Sequence, residues 1–350
     1  MDDSAIEDSG GARFALDAGE PATATLAGDR AAAESGFGTD LAATLAFAAR
    51  EGHRLVALSK GDRWSALAAV AAVDVAGARV LEPHLDALSI LDEYAAAGGG
   101  ETPSRVHADA GSTWGVFAAE GPGVSLQARE QNGTWRLSGT KPWCSLAAHL
   151  THALVTAWTA PDRRRLFAVD LRAPGVHPHA GPWVSRGLSE IVSAPVDFDE
   201  VAASPVGGDG WYLRRPGFAW GGIGVAAVWW GAAAPLVDRI VAAASTDGAD
   251  QLAAVYAGEA DAAWWAARAV LRDAAQQSAS TDPSVVAHRV RAIVAGASET
   301  ILSVAGRALG PGPLTTDEPY ARRVADLALY LRQHHGERDL ARLGRKLATS

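Results

Sequence analysis

The feature that most constrains the fold of this chain is a change of sequence pattern, from helical to β and back to helical. Up to about residue 112, alanine, leucine and charged residues recur at helical spacing. From 113 to 212, short alternating or apolar runs are broken by glycine, proline, asparagine and aspartate, as is typical of strands. Helical spacing then returns in longer segments. We therefore predict a multi-domain α+β fold with an all-helical domain at 1–112 (its first twenty residues or so loose), a β domain at 113–212 and a helical bundle at 213–350.

Individual elements follow from the same patterns. Strands are predicted at 114–119, 124–129, 135–137, 153–157, 166–171 and 192–198. Helices are predicted at 41–50, 85–97, 222–244, 252–277, 283–309 and 319–333, the last four forming an antiparallel bundle. Asn132-Gly133 supplies positive φ for a hairpin turn. Thr39 or Asp40 is expected to cap the first helix, and Asp282 followed by Pro283 to open the fifth.

Composition excludes several classes of protein. The 350 residues carry a formal net charge of −9, which argues against nucleic acid or an anionic membrane as a partner. Cys144 is the only cysteine, so the chain has no internal disulfide and no cysteine zinc site, and we predict no metal. Its first residues are acidic rather than basic, and no apolar run approaches the ~20 residues of a membrane span. We expect a soluble, cytoplasmic protein.

The motifs of several common enzymes are missing. The sequence has no phosphate-binding loop, no G-x-G-x-x-G after a strand, no G-x-S-x-G elbow and no H-E-x-x-H helix. These absences exclude the familiar nucleotide-binding, hydrolase and metalloprotease sites.

Four segments carry a resemblance to one family. Phe117–Ser125 resembles a stretch in which Thr-Glu-Pro and a small turn lead to serine, and Gly133–Ser145 resembles a G-x-K-x-W-I-T/S segment. Gly187-Leu188 with 196–201 is similar to a strand pair, and Arg322–Asp326 to an R-x-x-R-D-A helix. The resemblance covers about residues 40 to 345, and the family is the acyl-CoA dehydrogenases.

That resemblance implies a fold, a cofactor and a set of site residues. The fold would be an N-terminal helical domain, a middle β-barrel or sandwich and a C-terminal four-helix bundle, in a homo-oligomer. The cofactor would be FAD, with FMN as the alternative. The residues that it implies contact the flavin are Phe117, Ala118 and Ala119 through their backbone, Trp143 against the ring and Ser145 near the reactive ring nitrogen. Those that it implies contact the substrate are Glu120 and Ser125.

Two departures from the family pattern bear on activity. The glutamate that acts as base would stand where His334-His335-Gly336 is found, and its other family position falls near Trp220-Gly221-Gly222, which has no acid. We therefore predict His334 as the catalytic base, since histidine suits proton transfer at neutral pH, with capping of the preceding helix as the alternative role. At the nucleotide end, Arg307 either replaces a missing phosphate contact or caps a helix.

Three functions remain open on the sequence. The first is an FAD-dependent oxidoreductase that dehydrogenates an acyl thioester, for example an acyl-CoA, and passes electrons to an acceptor that the sequence does not identify. The second is a monooxygenase of the same fold that uses reduced flavin from a separate reductase. The third is a non-catalytic paralogue that keeps the fold as a structural partner.

Overall fold

A computed structural model describes residues 12–16, 22–99, 106–277 and 282–349. The predicted order of helices, strands and helices is confirmed, and the expectation of a loose start falls largely outside the described residues. The helices are α1 (Ala22–Ala33), α2 (Leu41–Val56), α3 (Lys60–Val73), α4 (Val75–Tyr94), α5 (Trp211–Arg214), α6 (Gly217–Ala244), α7 (Gln251–Gln276), α8 (Pro283–Leu309), α9 (Gly312–Thr316), α10 (Glu318–Tyr330) and α11 (Glu337–Thr349). The strands are β1 (Trp114–Phe117), β2 (Leu126–Gln131), β3 (Thr134–Ser145), β4 (His152–Ala160), β5 (Arg163–Asp170), β6 (Val176–Pro178) and β7 (Ser193–Val206).

The N-terminal helices differ from the prediction mainly at α4. Asp40 caps α2, its carboxylate accepting from the N–H groups of Ala42 and Ala43. The helix predicted at 85–97 begins ten residues earlier, behind an Asp74 cap, and runs through Pro83. Proline disfavours a helix interior because it removes a hydrogen bond, but burial of most of α4 outweighs that local cost.

The strands close into a barrel. β2 pairs with β3, β3 with β7, β7 with β5, β5 with β4, and β4 returns to β2, while β1 lies parallel to β4 on the same edge as β2. The predicted hairpin between β2 and β3 is confirmed, with φ of 51° at Asn132 and 72° at Gly133. The strand predicted at 192–198 continues to Val206 in β7, and β6 was not predicted. Closure removes free sheet edges within the barrel.

The C-terminal helices α6, α7 and α8 pack against one another, with α10 alongside α6 and α8. α8 spans 283–309 as predicted, and Asp282 accepts from the N–H of Ser284 at its start. α6 starts five residues before the prediction, because the glycines at its start permit close packing rather than breaking the helix. A Cβ on Gly221 would lie 2.8 Å from an Asp86 carboxylate oxygen, and one on Gly231 would lie 2.1 Å from the Ala68 carbonyl oxygen.

Two of these helices are longer than any apolar segment expected from the sequence. α6 and α8 have 28 and 27 residues and a hydropathy sufficient to cross a membrane, by length and composition only. The expectation that no segment reaches spanning length is therefore wrong for these two. In the structure, 72% of the apolar window of α6 is buried inside the protein, as in a core helix.

Residues of the family-like segments hold the three regions together. Arg323 on α10 donates to the carbonyls of Ala71, Ala72 and Val73 at the end of α3. The buried Asp326 carboxylate accepts from the Leu188 N–H at 2.5 Å, which joins the barrel to the bundle. These contacts fix the relative position of the walls of the cavity described below. The predicted domain boundaries at 112 and 212 remain predictions.

Candidate active site

A cavity of about 1210 Å³ lies where α4, the barrel, α6, α8 and the C-terminal segment meet. Pockets for a single small molecule usually enclose 300–1,000 Å³, so this one has room for a cofactor and a substrate together. Six arginines and four acidic residues line it, which makes its wall net positive: Arg79, Arg164, Arg215, Arg291, Arg332 and Arg342 with Glu82, Asp86, Glu120 and Asp339. Such a wall favours a ligand that carries negative charge.

The predicted flavin-lining strand ends earlier than expected. β1 stops at Phe117, whose side chain is 2% exposed in the core and does not line the cavity. Ala118 and Ala119 follow the strand and do line it, together with Val116. The small side chains of the two alanines leave the backbone accessible at this edge of the barrel.

Trp143 stands on the cavity wall in an unusual conformation. The pairing of β3 with β7 shifts register between Lys141 and Cys144, and this bulge gives Trp143 a φ of 59°. Left-handed backbone is costly for a tryptophan, and the side chain is 61% exposed rather than buried. The strained backbone holds the indole of Trp143 out over the cavity. This arrangement indicates a planar ligand beside the indole.

Ser145 belongs to a chain of hydrogen bonds with a defined direction. Ser193 Oγ donates to the Ile191 carbonyl oxygen at 3.0 Å, which uses its only proton. Ser145 Oγ lies 2.7 Å from Ser193 Oγ, a pair in which either hydroxyl can donate; with the Ser193 proton on the Ile191 carbonyl, Ser145 is the donor. Arg79 donates to Ser145 Oγ at 3.1 Å. Toward the cavity, the Ser145 hydroxyl thus offers a lone pair and no proton.

Glu120 lines the cavity but is held by three neighbours. Its carboxylate accepts from Lys141 Nζ at 2.7 Å, Arg164 at 3.0 Å and Trp158 Nε1 at 3.2 Å. Burial alone would raise the pKa of Glu120, but the hydrogen bonds and the positive charge of Lys141 lower it. Ser125, the other predicted substrate contact, does not line the cavity, and its hydroxyl accepts from the Gln127 side chain.

His334 lies behind the cavity wall. Gln333 and His335 line the cavity, whereas the His334 ring packs against Trp229 with centroids 6.4 Å apart. Its Nδ1 is 3.5 Å from Asp339 Oδ2 and makes no hydrogen bond to the described residues. Burial and then Arg291 lower the pKa of His334, so the imidazole is neutral at pH 7. The protonation state suits a base, while the position does not place it against a ligand.

One face of α4 contributes polar groups that were not predicted from the sequence. Arg79, Glu82 and Asp86 are three and four residues apart, so they share a helix face, and all line the cavity. Tyr330 Oη donates to Glu82 Oε2 at 3.1 Å, and Arg79 lies 3.7 Å from the same oxygen. Burial raises the pKa of both Glu82 and Asp86. The available signal was three charges at helical spacing inside an otherwise apolar segment.

Arg291 on α8 is a cation without a carboxylate within ion-pair distance among the described residues. Its guanidinium donates to the carbonyls of Gly222 and Gln333 and lies 4.8 Å above the Trp229 ring. Burial lowers its pKa, which means that its charge is poorly solvated there. An anion bound in the cavity would complete its surroundings.

Two other groups have their contacts within the protein. Arg307 pairs with both carboxylate oxygens of Glu259 and does not line the cavity, and its role as a phosphate contact remains a prediction. Burial raises the pKa of Cys144 to about 12, which makes the thiol inert. The described residues contain no cluster of His, Cys, Asp and Glu suited to a metal.

Comparison with known proteins gives structural matches only. No family model matches the sequence, and no curated protein matches it significantly. A structure of KijD3 with FMN and dTDP-3-amino-2,3,6-trideoxy-4-keto-3-methyl-D-glucose is 21% identical, with a TM-score of 0.73 over 98% of this chain and 94% of that one. TdsC from Paenibacillus sp. A11-2 with FMN and indole is 16% identical, with a TM-score of 0.75 over 92% and 95%.

Butyryl-CoA dehydrogenase from Megasphaera elsdenii is also 16% identical, with a TM-score of 0.79 over 99% of this chain and 100% of that one. A match of this extent at such low identity establishes the architecture. The chain is a multi-domain α+β protein with the acyl-CoA dehydrogenase fold.

Proposed function

We propose that the protein is a flavin-dependent monooxygenase that uses reduced flavin to oxygenate a small organic molecule. When bound, a reduced flavin supplies two electrons to dioxygen, one oxygen atom entering the substrate and the other leaving as water. The observation that carries the proposal is the direction of the hydrogen bonds at Ser145.

A hydroxyl that has already donated its proton can only accept another. The reactive ring nitrogen of oxidised flavin is an acceptor, whereas in reduced flavin it carries a hydrogen and is a donor. Because Ser145 gives its proton to Ser193, it complements the reduced form. An acyl-thioester dehydrogenase instead receives its substrate with the flavin oxidised, for which a donating hydroxyl would be the better partner.

The remaining wall fits a flavin and a second molecule. Trp143 offers an aromatic face, and the backbone at Ala118 and Ala119 offers donors and acceptors for the polar edge of a ring system. Arg291 supplies positive charge for the anionic reduced ring or for a phosphate. The 1210 Å³ volume leaves space for a substrate beside them.

The structural neighbours support the same assignment. KijD3 and TdsC were each solved with FMN and a small organic ligand, a nucleotide-linked sugar in one case and indole in the other. We propose FMN as the cofactor on this ground.

Dehydrogenation of an acyl thioester receives less support. It needs a carboxylate or equivalent base beside the substrate α-carbon. His334 lies behind the wall, and Glu120 is held by Lys141 and Arg164. Glu82 lines the cavity, but its carboxylate is held in a charged cluster by Tyr330 and Arg79. The inner part of the cavity is also lined with charge at Arg79, Glu82 and Asp86, where an acyl chain would require apolar groups.

The decisive experiment compares the two half-reactions. Protein loaded with oxidised FMN, or separately with FAD, is titrated anaerobically with acyl-CoA thioesters while flavin absorbance is followed. We expect no bleaching. Protein loaded with reduced FMN and mixed with oxygenated buffer should reoxidise the flavin at a rate different from that of free FMN. Bleaching by any thioester contradicts the proposal. Failure to bind either flavin contradicts the assignment to any flavin-dependent enzyme.

A further inference from the structure

A second, smaller chamber of about 280 Å³ lies on the other side of α4 from the barrel, between α3, α4 and α6. Four residues line both it and the main cavity, and they form the partition between the two: Glu82, Asp86, Arg215 and Gly221. We call this smaller space the inner chamber.

The inner chamber contains charged side chains and reaches the surface. Asp92 lines it and is exposed, so water has access at that end. Glu93 and Asp86 both pair with Arg215, at 2.9 and 3.2 Å, which fixes the guanidinium in the partition. The inner chamber therefore extends from the exposed Asp92 to the partition.

Glu82 lines the main cavity, and one oxygen of its carboxylate is free of hydrogen bonds to the described residues. Tyr330 Oη and Arg79 both lie against Oε2, and the described residues place no hydrogen-bond partner on Oε1. The side chain is 11% exposed, so it is held rather than mobile, yet both cavities reach it. Through Arg79, the same cluster is hydrogen-bonded to Ser145.

Resting on the proposed function, we propose that Glu82 carries protons from the inner chamber into the main cavity, where it delivers the proton that oxygenation consumes. The balance requires one such proton. The reduced flavin anion provides two electrons and one hydrogen, dioxygen provides two oxygen atoms, and one added proton completes the water that leaves with oxidised flavin and oxygenated substrate.

The surroundings raise the pH at which the Glu82 carboxyl gives up its proton. Burial, the largest influence, raises the pKa of Glu82, and the negative charge of Asp86 raises it further, while Arg79, the Tyr330 hydrogen bond and Arg291 lower it. A carrier works best when its pKa lies near the working pH. The charged and titratable groups facing Glu82 are Arg79 and Asp86 on α4, Tyr212 on α5, Arg291 on α8, Tyr330 on α10 and Arg215 before α6.

The first test needs no flavin. The infrared carboxyl band of flavin-free protein is recorded across pH for the wild type, Glu82→Gln and the control Glu130→Gln, an exposed acid of β2 that lines neither cavity. The difference between wild type and Glu82→Gln should show a carboxyl that titrates above the usual range of a glutamate. A Glu82 that titrates within that usual range overturns the proposal, whatever the protein catalyses.

The second test follows turnover with reduced FMN. Glu82→Gln keeps an acceptor for Tyr330 but cannot carry a proton, so the oxygen-dependent rate should fall roughly 10²- to 10⁴-fold and lose its pH dependence. Glu130→Gln should keep the wild-type rate, and a small weak acid such as acetic acid should restore part of the rate of Glu82→Ala. An unchanged rate and pH profile in Glu82→Gln, with an active wild type, overturns the role of Glu82 and leaves the proposed function intact.

Discussion

Removal of Glu120 tests whether this residue serves structure or substrate. Lys141 is 1% exposed, and its ammonium has two partners, the Glu120 carboxylate at 2.7 Å and the Thr156 hydroxyl at 2.9 Å. In Glu120→Ala, the Lys141 ammonium keeps only the Thr156 hydroxyl as a partner. Breaking a buried ion pair from one side costs about 3–5 kcal/mol. Since Thr156 remains and Glu120 is 31% exposed, we expect the lower end, about 3 kcal/mol, or roughly a 100-fold shift toward unfolding.

Urea denaturation followed by circular dichroism measures this loss. The double variant Glu120→Ala/Lys141→Met should recover most of it, because an apolar side chain of similar length removes the orphaned charge. Glu130→Ala, which removes an exposed acid of β2, should change stability by less than about 0.5 kcal/mol. If Glu120→Ala is as stable as the wild type but binds ligand more weakly, the structural account is wrong and the sequence-based assignment to the substrate is favoured.

Burial lowers the pKa of His84 to about 4, so the imidazole is harder to protonate in the folded protein than in the unfolded chain. The free energy of unfolding should be full above pH 6.5 and fall by about 3 kcal/mol toward pH 4. Urea titrations of His84→Gln should lack this loss. In Gly231→Ala, the new Cβ would meet the Ala68 backbone at 2.1 Å and should cost about 1–3 kcal/mol in denaturant midpoint measurements, whereas Gly258→Ala, with open space around it, should be neutral or slightly stabilising. Trp265 is 64% exposed, and if it serves the expected homo-oligomer, Trp265→Glu should lower the mass measured by light scattering; an unchanged mass contradicts that role.

The fold could be predicted because local pattern and tertiary packing agree over most of the chain. The Asn132-Gly133 turn and the Asp282 cap with Pro283 are local signals, and both appear where expected. The errors occur where packing overrides local preference. Pro83 lies inside α4 and Gly221 inside α6, since burial in the first case and close approach to Asp86 in the second outweigh helix propensity.

The candidate site was predicted in part, because a motif gives positions along the chain but not directions in space. Trp143, Ser145, Ala118 and Ala119 line the cavity, and their roles remain predictions. His334 is next to two residues that line the cavity, but one step along an irregular segment turns its ring toward Trp229.

The α4 contribution could not be found from motifs. Glu82 and Tyr330 are 248 residues apart, and only the packing of α10 on α4 brings them within hydrogen-bond distance. The direction of the Ser145–Ser193 hydrogen bond likewise depends on a carbonyl, that of Ile191, whose position no sequence pattern reports.

The central claim is that the site is arranged for reduced flavin, and anaerobic affinity measurements test it most directly. Dissociation constants for oxidised and reduced FMN are measured with the wild type and with Ser193→Ala, which removes the acceptor for the Ser145 proton and frees that proton for the ligand. We predict that the wild type binds reduced FMN roughly fivefold more tightly and that Ser193→Ala loses this preference, as one hydrogen bond of about 1 kcal/mol implies. Tighter binding of oxidised FMN by the wild type, or a preference unchanged in Ser193→Ala, would contradict the account.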